Sequence, residues 1–356
     1  MYRILAINPG NTSTKVGYFE DTRQVFASTV RHSLEELSRY KNFFEQLDFR
    51  VESINEFIYG NDIKLESVDF FIGRGGYLKP LKSGLYEISE KMISDLKNAP
   101  VEHASNLGAL IAFSFAKKFG RKAYILDPVC VDELDDIARL SGHPLFERTT
   151  LFHALNQKRM ARKAASELGR KYTELNLIVA MLGSGISVGI HSMGKIIDVT
   201  NAVNGEGPFS TERSGAIPIL PFLSYVLDNK LSYEAAAKII YGRGGIVAYL
   251  GTNDMINIMS RYRNNDDGKI NLIIEAMAYQ IAKEIASMAI AVKGCVDAIV
   301  ITGGLANEKV FVDLVIQRIK FISEKILVYP GEDELAAMAE GVIGAINSEI
   351  EILEYK

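Results

Sequence analysis

One pattern occurs twice along the chain and constrains the fold more than any other feature: an apolar strand, a polar loop that contains glycine, and a second strand. Residues 3–8 and 15–20 are the strands of the first copy. Residues 177–182 and 186–191 are the strands of the second copy, about 170 residues later. Recurrence over this distance indicates that the chain consists of two duplicated halves.

The segments around each copy complete an α/β pattern. Apolar residues at helical spacing predict helices over 149–168, 271–292 and 307–321. Short β-rich runs predict further strands at 25–31, 123–126, 196–200, 298–302 and 326–329. We therefore predict an α/β fold with two duplicated domains that have mixed sheets and lie around a central cleft.

The length of the chain suits two domains. At 356 residues, each half is long enough to bury a core of its own. We place the N-terminal domain at residues 1–148 and the C-terminal domain at 149–335. A final helix over 336–356 is expected to pack on the N-terminal domain.

Composition and charge exclude several classes of protein. The chain is 48% hydrophobic with a formal net charge of −4 and no basic cluster, so neither nucleic acid nor a membrane surface is expected as a partner. No apolar run reaches the length of a membrane span, and the N-terminus lacks a signal-peptide pattern. Cys130 and Cys295 have neither redox-motif nor zinc-site spacing, and we expect both to be reduced core residues of a cytoplasmic protein.

The first polar loop carries residues suited to phosphate binding. Asn8, Gly10, Thr12, Ser13 and Lys15 place an amide, a glycine, two hydroxyls and a lysine between two strands. Backbone N–H groups and hydroxyls in such a loop can surround phosphate oxygens, and the lysine adds a point charge. The alternative is a hairpin loop rich in turn formers. No Gly-x-x-x-x-Gly-Lys-Ser/Thr motif occurs, which excludes a P-loop ATPase.

Two later loops have a similar character. Gly183, Ser184 and Gly185 follow an apolar strand, but the alternating run after them predicts a hairpin, whereas a dinucleotide-binding fingerprint requires a helix there. A loop that admits a phosphate and a simple tight turn both remain open. The third loop ends a buried strand and opens a helix, where a flat ligand or an anion can approach, and its residues of interest are Gly303, Gly304 and Asn307.

In their order and spacing, the three loops resemble those of the acetate and butyrate kinase family, within the superfamily of actin, sugar kinases and heat-shock chaperones. The resemblance extends over nearly the whole chain and includes Gly73-Arg74-Gly75-Gly76, Leu126-Asp127-Pro128, Leu151-Phe152-His153, Glu206-Gly207, Thr211-Glu212-Arg213-Ser214-Gly215 and Pro330-Gly331-Glu332-Asp333-Glu334-Leu335. It implies ribonuclease-H-like domains and an enzyme that uses ATP and Mg²⁺ to phosphorylate a small carboxylate reversibly to an acyl phosphate. It also implies a homo-oligomer.

Within the family, departures from the acetate kinase pattern favour the butyrate kinase branch. The departures are the compact Gly73-Arg74 before Gly75-Gly76, Ala202-Val203-Asn204-Gly205 before Glu206-Gly207, and Ser184 before Gly185. We expect an acyl pocket that includes Gly75, Phe152 and Val203 and accepts butyrate and branched acids such as isobutyrate better than acetate. The alternatives are an acetate or general short-chain carboxylate kinase, with glycines that only permit tight turns.

The resemblance implies roles for individual side chains. Arg74 and Arg213 match the active-site arginines, which offset the repulsion between the two anions of phosphoryl transfer. For most other arginines of the chain, a surface ion pair is the better interpretation. His153 matches a histidine that hydrogen-bonds the transferring phosphoryl group, and Asp127 matches an aspartate beside the acid and the metal. Glu334 matches a residue that helps to hold magnesium, and the neighbouring Asp333 is the other candidate.

Further matches concern ATP. Asn8 matches a residue in contact with the transferred phosphate, and the second and third loops match phosphate and adenosine contacts. Asp254 matches a nucleotide contact, but Ile256 replaces the arginine that acetate kinases carry two residues later. The family's second histidine is replaced by Gln157, so a histidine at that position is not required for the chemistry.

Two other kinds of protein fit the superfamily. A non-enzymatic actin-like ATP-binding protein or a repressor would not need Arg74, His153 and Arg213 together, and a repressor would need a basic helix-turn-helix arm that the N-terminus lacks. A sugar kinase would need an aspartate as general base, whereas a carboxylate is already deprotonated at neutral pH. The sequence therefore predicts a carboxylate kinase.

Overall fold

The structure, a computed structural model, describes residues 1–61, 63–99, 101 and 103–356. It contains two compact units. Unit 1 comprises Met1–Val131 and Asp333–Lys356, and unit 2 comprises Asp132–Glu332. The domain boundary at residue 148 stays a prediction, because a compact unit need not coincide with an independently folding domain.

Strands and helices alternate along most of the chain. The strands are β1 (Arg3–Pro9), β2 (Ser13–Glu20), β3 (Arg23–Arg31), β4 (Phe70–Arg74), β5 (Leu85–Glu87), β6 (Lys122–Leu126), β7 (Asn176–Leu182), β8 (Ile186–Ser192), β9 (Lys195–Val199), β10 (Ala298–Gly303), β11 (Ile326–Pro330) and β12 (Ile352–Leu353). The α-helices are α1 (Leu34–Leu37), α2 (Leu47–Tyr59), α3 (Glu90–Lys97), α4 (Asn106–Phe119), α5 (Asp136–Arg139), α6 (Ala154–Glu167), α7 (Ile219–Asp228), α8 (Tyr233–Ile240), α9 (Gly245–Leu250), α10 (Met255–Asn264), α11 (Gly268–Met288), α12 (Lys309–Ile319) and α13 (Glu334–Ile346).

Unit 1 is built on a seven-stranded mixed sheet with the order β12-β5-β6-β4-β1-β2-β3. β1 pairs antiparallel with β2 and parallel with β4, and β4 pairs parallel with β6. Most of β1 is buried, as expected for a strand covered on both faces. Leu5 and Ile7 belong to the core that α2, α3 and α4 share, and α13 packs against β1, β2 and β4.

Unit 2 repeats this plan on a five-stranded sheet with the order β11-β10-β7-β8-β9. β7 pairs antiparallel with β8 and parallel with β10, which is the arrangement of β1 with β2 and β4. The apolar face of α11, which includes Ile274 and Ile281, packs with the buried residues of β8. The predicted α/β fold with two duplicated mixed sheets is confirmed.

Three local expectations differ from the structure. The final helix covers Glu334–Ile346, because Ser348 adopts a left-handed conformation, and β12 then pairs with β5. The helix predicted over 149–168 begins at Ala154, since His153 has non-helical angles. Cys130 is buried as expected, but Cys295 is exposed.

In the described part of the chain, no helix is both long enough and apolar enough to span a membrane.

The contact between β4 and α4 in unit 1 requires two glycines. A Cβ built on Gly73 would lie 2.0 Å from the carbonyl oxygen of Gly108, and one built on Gly108 would lie 2.4 Å from that of Arg74. Both obstacles are backbone atoms, which cannot rotate away as a side chain can. The two glycines therefore allow a helix to touch the strand that carries Arg74.

We expect Gly108→Ala to lower the free energy of unfolding by at least about 2 kcal/mol, the cost of forcing an extra methyl group into a packed core. Guanidinium unfolding followed by circular dichroism would measure it. Gly268→Ala is the matched control, because no atom of the described residues lies within 4 Å of the position that its methyl group would take. That change should stay within about 0.5 kcal/mol. Equal losses in the two variants would contradict the proposed close contact.

Candidate active site

The first loop wraps around a side chain that the sequence analysis did not single out. Arg50, on α2, is fully buried. Its guanidinium donates to the carbonyl oxygens of Gly10 at 2.9 Å, Asn11 at 3.0 Å and Ser13 at 3.3 Å, and to Gln46 Oε1 at 2.9 and 3.0 Å. The loop carbonyls thus face Arg50. Because a trans peptide points its C=O and N–H in opposite directions, the N–H groups of the same peptides face away from it.

Two more buried side chains complete this support. Thr14 Oγ1 accepts from Arg50 at 3.2 Å and lies 3.0 Å from His32 Nε2. Burial and the neighbouring guanidinium lower the pKa of His32 to about 4, and burial lowers the pKa of Arg50 to about 10. Near neutral pH the imidazole is therefore neutral and the guanidinium charged, and a buried positive charge under the loop favours an anion bound to it.

The predicted ligands within the first loop lie near the surface. Thr12 and Lys15 are exposed, and Ser13 is half-buried. Lys15 is the cross-strand neighbour of Asn8 in the pairing of β1 with β2. Hydroxyl and ammonium groups in these positions can reach a phosphate at the loop.

Three predicted residues of unit 1 meet where β1, β4 and α13 come together. The Asn8 amide donates to Glu334 Oε2, and Arg74 Nε lies 3.1 Å from Glu334 Oε1. Arg74 is only 6% exposed, and in the described residues its Nη1 is a buried donor without a hydrogen-bond partner. Unpaired buried donors are rare in folded proteins, so this nitrogen is a candidate to bind an anionic oxygen of a ligand.

The two aspartates predicted in unit 1 make defined backbone contacts. Asp127 is fully buried with φ +38°, an uncommon conformation for this residue type. Its Oδ1 accepts from the Ser83 hydroxyl at 2.6 Å and the Gly84 N–H at 2.9 Å. Asp333 caps α13 by accepting from the Ala336 N–H at 3.1 Å. Of the two metal candidates, Glu334 is the one beside Asn8 and Arg74.

In unit 2, the second loop connects β7 with β8. Gly183 and Gly185 are buried, and Ser184 is exposed at the tip. A Cβ at Gly185 would lie 2.1 Å from Arg213 Nη1, and Ser210 Oγ donates to the Ser184 carbonyl. Only glycine at position 185 lets the guanidinium lie on the loop, which accounts for the glycine and brings Arg213 to the predicted phosphate site.

The third loop follows β10, the parallel neighbour of β7, so the second and third loops leave the same edge of the sheet. Gly303 has φ +97°, and a Cβ there would lie 2.3 Å from the Leu182 carbonyl oxygen. Around Gly304, by contrast, no described atom lies within 4 Å of a Cβ position, and Asn307 Nδ2 donates to its carbonyl at 2.9 Å. Packing therefore requires Gly303, whereas Gly304 leaves an open surface.

Asp254 is exposed at the N-cap of α10, where it accepts from the Asn257 N–H at 3.1 Å. Ile256, two residues later, is 78% exposed. An exposed apolar side chain cannot replace a guanidinium contact to a nucleotide.

Arg213 also lines a narrow cavity that has no room for a water molecule, and its other walls include Ile186, Val203 and Ile240. Its Nη1 donates to the Ala202 carbonyl at 2.7 Å. A guanidinium beside apolar side chains suits a carboxylate with a short alkyl chain, but the lining side chains would have to move apart for such an acid to enter.

The other predicted pocket residues have different surroundings. Phe152 is buried in unit 2, directly before His153 and α6. In unit 1, a Cβ at Gly75 would lie 2.6 Å from Pro128 Cβ, and one at Gly76 would lie 2.3 Å from Asn106 Oδ1. Close packing accounts for these glycines, whichever residues line the acyl pocket.

His153 is the N-cap residue of α6, and its Nδ1 lies 2.8 Å from Ser187 Oγ on β8. The sequence predicted the histidine but gave no reason to connect it with Ser187. The pairing of β7 with β8 and the packing of α6 on β7 bring the two side chains together.

Arg50 and Ile240 are the principal residues that sequence reasoning missed. A sequence pattern could have identified Arg50. Gln46, at the N-cap of α2, and Arg50, Ile54 and Ile58 within it are spaced four residues apart and lie on one side of the helix. A charged residue in an otherwise buried stripe is unusual enough to require a partner. Ile240 had no such signal, since α8 is amphipathic like many surface helices.

Comparisons with known proteins identify the family and the fold. A model of the acetokinase family matches residues 146–353. The chain is 46% identical to butyrate kinase 1 and 45% identical to butyrate kinase 2 of Clostridium acetobutylicum, with 100% of this chain and 100% and 99% of those proteins covered. The acetate kinase of Porphyromonas gingivalis has a similar fold, with a TM-score of 0.78 at 17% identity over 96% of this chain and 99% of that one.

We expect Arg50→Met to lower the free energy of unfolding by about 2–4 kcal/mol, because the loop carbonyls lose their buried donors. Hydrogen exchange should also accelerate at residues 10–14. Urea unfolding and exchange mass spectrometry would measure the two effects. Arg23→Met is the matched control, because this arginine is 72% exposed and pairs with Glu20 at the surface; its loss should stay below about 0.5 kcal/mol. Unchanged exchange in the Arg50 variant would show that the loop holds its shape without the guanidinium.

Proposed function

This chain belongs to the acetokinase family, and we propose that it transfers the γ-phosphoryl group of ATP reversibly to butyrate and to branched short-chain acids such as isobutyrate. The family and the enzyme class predicted from the sequence, a carboxylate kinase, are confirmed. The roles of individual residues and the preferred acid are proposals.

The buried Nη1 of Arg74 is the observation that carries the proposal for unit 1. Arg74 is held by Glu334 through Nε, which fixes the guanidinium plane and leaves Nη1 as a buried donor without a partner in the described residues. A carboxylate or phosphoryl oxygen would satisfy it with a charge-assisted hydrogen bond. The same contact would become stronger as negative charge develops in the transition state.

In the reaction, a carboxylate oxygen of the acid forms a bond to the γ-phosphorus while the bond from that phosphorus to the β,γ-bridging oxygen breaks. ADP leaves with the electron pair, and no proton needs to be removed from the acid. The protein therefore has to position two anions and offset their repulsion. We assign this task to Arg74 and Arg213, with His153 as a hydrogen-bond donor to the phosphoryl group and Asp127 as a residue that orders the segment around Ser83.

We propose that the first loop of unit 1 and the second loop of unit 2 are each phosphate-binding loops, and that adenosine lies on the third. Support comes from the N–H groups that Arg50 turns outward, from Arg213 on Gly185, and from the open surface at Gly304. Asp254 is assigned to the nucleotide from the family resemblance alone.

We propose that magnesium, when bound, is held by Glu334 and accompanies the phosphates. The described residues contain no group of three or more His, Cys, Asp and Glu that could hold a metal ion by themselves. The partly exposed Glu334 carboxylate with the neighbouring Asn8 suits an ion that keeps most of its water and takes other ligands from phosphate. Magnesium would neutralise charge on the phosphates, and Asp333 is the second candidate ligand.

A homo-oligomer is also proposed, and α7 supports it. None of its residues is buried, although several are apolar. Ile219, Leu220 and Leu227 are 77%, 75% and 66% exposed. Several exposed large apolar side chains on one helix are typical of an interface between protein chains. A second copy of the chain is the partner that the family resemblance favours.

We expect the purified protein to form a hydroxamate when it is incubated with ATP, Mg²⁺, hydroxylamine and butyrate, because hydroxylamine traps an acyl phosphate. Colorimetric detection with ferric ion would measure the product. A panel of acids from two to six carbons tests the substrate class, and a sugar panel with ADP detection tests the sugar kinase alternative. Absence of hydroxamate with every acid would refute the proposed function.

In the same assay, Arg74→Ala and Arg213→Ala should each lower kcat by about a hundredfold or more, the scale of a transition-state electrostatic contact. Arg39→Ala serves as the control, because its side chain is 67% exposed. Losses below about tenfold with an intact fold would assign the two arginines to structure and remove them from the proposed chemistry.

We expect Val203→Phe to lower the ratio of kcat/KM for butyrate to that for acetate by at least about tenfold, because the larger ring fills space that the longer alkyl chain needs. Steady-state kinetics with both acids measures the ratio. Val25→Phe, at a half-exposed position of β3, should leave it unchanged. A constant ratio in the Val203 variant would place the acyl chain elsewhere.

We expect sedimentation velocity to show an oligomer that dissociates when Leu220 and Leu227 are both replaced by lysine, because two charges would have to be buried at the interface. The matched control is Leu145→Lys, at an exposed leucine outside the helices. A monomeric unmodified protein would refute the proposal.

A further inference from the structure

Five side chains of unit 2 form a continuous hydrogen-bonded series that ends at His153. Tyr172 Oη lies 2.7 Å from His191 Nδ1, and His191 Nε2 lies 3.1 Å from Gln157 Oε1. Gln157 Nε2 lies 2.9 Å from Ser187 Oγ and 3.1 Å from the Ser187 carbonyl oxygen. Ser187 Oγ is 2.8 Å from His153 Nδ1. We call this series the Gln157 chain.

The middle of the Gln157 chain is sealed from solvent. Gln157, Ser187 and His191 are all 0% exposed. These three side chains are therefore shielded from bulk water, and their donors and acceptors pair with one another inside the protein. Gln157 takes the place of the family's second histidine. Its amide group needs a hydrogen-bond acceptor at the nitrogen and a donor at the oxygen, and Ser187 and His191 provide them.

The Ser187 backbone carbonyl sets the orientation of the Gln157 amide. A carbonyl oxygen can only accept, so the amide nitrogen of Gln157 faces Ser187 and its oxygen faces His191. His191 Nε2 must then carry a hydrogen. Burial, with Lys158 and Arg162 nearby, lowers the pKa of His191 well below its usual value, so the ring is neutral and its Nδ1 accepts from Tyr172.

The orientation of the Gln157 amide also determines the direction of the hydrogen bond between Ser187 Oγ and His153 Nδ1. Ser187 Oγ accepts from Gln157, and in the described residues His153 Nδ1 is the other group within hydrogen-bond distance of it. The hydroxyl hydrogen is satisfied if it points to His153 Nδ1. A neutral His153 that accepts at Nδ1 carries its own hydrogen on Nε2.

We propose that Gln157 is a positioning residue that acts through Ser187 to hold His153 as a neutral imidazole with its hydrogen on Nε2, so that Nε2–H can donate to the transferring phosphoryl group. The inference rests on the role proposed for His153. An amide is better suited to this task than an imidazole, since it has one donor end and one acceptor end and does not titrate. Titration therefore cannot exchange the donor and acceptor ends of the Gln157 side chain.

Long-range ¹H–¹⁵N correlation spectra of the unmodified protein, labelled with ¹⁵N-histidine, would read both tautomers directly. The expected result is a hydrogen on Nε2 and none on Nδ1 for His153 and for His191. Loss of single resonance sets in His153→Asn and His191→Asn assigns the signals. A hydrogen on Nδ1 of either ring, or a doubly protonated His153 at pH 7.5, would overturn the proposal.

Ser187→Ala tests whether the Gln157 chain contributes to catalysis. Removal of the hydroxyl should leave His153 as a mixture of tautomers and lower kcat by about tenfold, with KM for ATP and butyrate unchanged within about twofold. Thr200→Val is the matched control, because Thr200 Oγ1 accepts from the Val188 N–H beside Ser187 but lies outside the chain. It should change neither the tautomer nor kcat, although it removes a buried hydrogen bond.

The outcomes separate this inference from the proposed function. An unchanged tautomer and kcat in the Ser187 variant would overturn the inference while the enzyme remained a carboxylate kinase. If the protein shows the expected tautomers but forms no acyl phosphate, the proposed function is refuted. The positioning role of Gln157 in the reaction is then refuted with it. Equal losses of kcat in the Ser187 and Thr200 variants would also contradict a positioning role.

Discussion

The hydrogen bonds of one buried side chain, Arg50, connect the first loop of unit 1 to α2. A guanidinium is planar and has five N–H donors, so it can bind several carbonyls at once in a fixed geometry. Here it binds carbonyls of Gly10, Asn11 and Ser13 and spans the distance from α2 to the end of β1. The buried charge is costly, and the multiple contacts offset that cost.

A second set of contacts lies at the end of β1. Asn8 donates to Glu334 at the start of α13, and Glu334 pairs with Arg74 at the end of β4. These residues come from three separated parts of the sequence. The pairing of β1 with β4 and the packing of α13 on the sheet bring them within hydrogen-bond distance. Close contact between Gly73 and Gly108 lets α4 support the strand that carries Arg74.

Unit 2 repeats the order of five strands of unit 1, β6-β4-β1-β2-β3, but uses different side chains to hold its loops. Arg213 lies on Gly185, Ser210 binds the Ser184 carbonyl, and Gly303 packs against the end of β7. The buried Gln157 chain connects β8 with the start of α6. The two units thus share a backbone plan but differ in the polar side chains that hold their loops.

The sequence by itself determined the duplicated α/β plan, the three loops, the family, and the identity of most proposed site residues. It could do so because strands, glycine turns and motif spacing are local properties that leave a pattern in consecutive residues. Tertiary structure alone decided that Arg50 supports the first loop, that Glu334 is the partner of Arg74, and that Ile240 lines a cavity with Arg213. It also ended the last helix at Ile346, beyond which the chain pairs with β5. These outcomes depend on contacts between residues far apart in the chain, and such contacts exist only after the sheets have formed and the helices have packed on them.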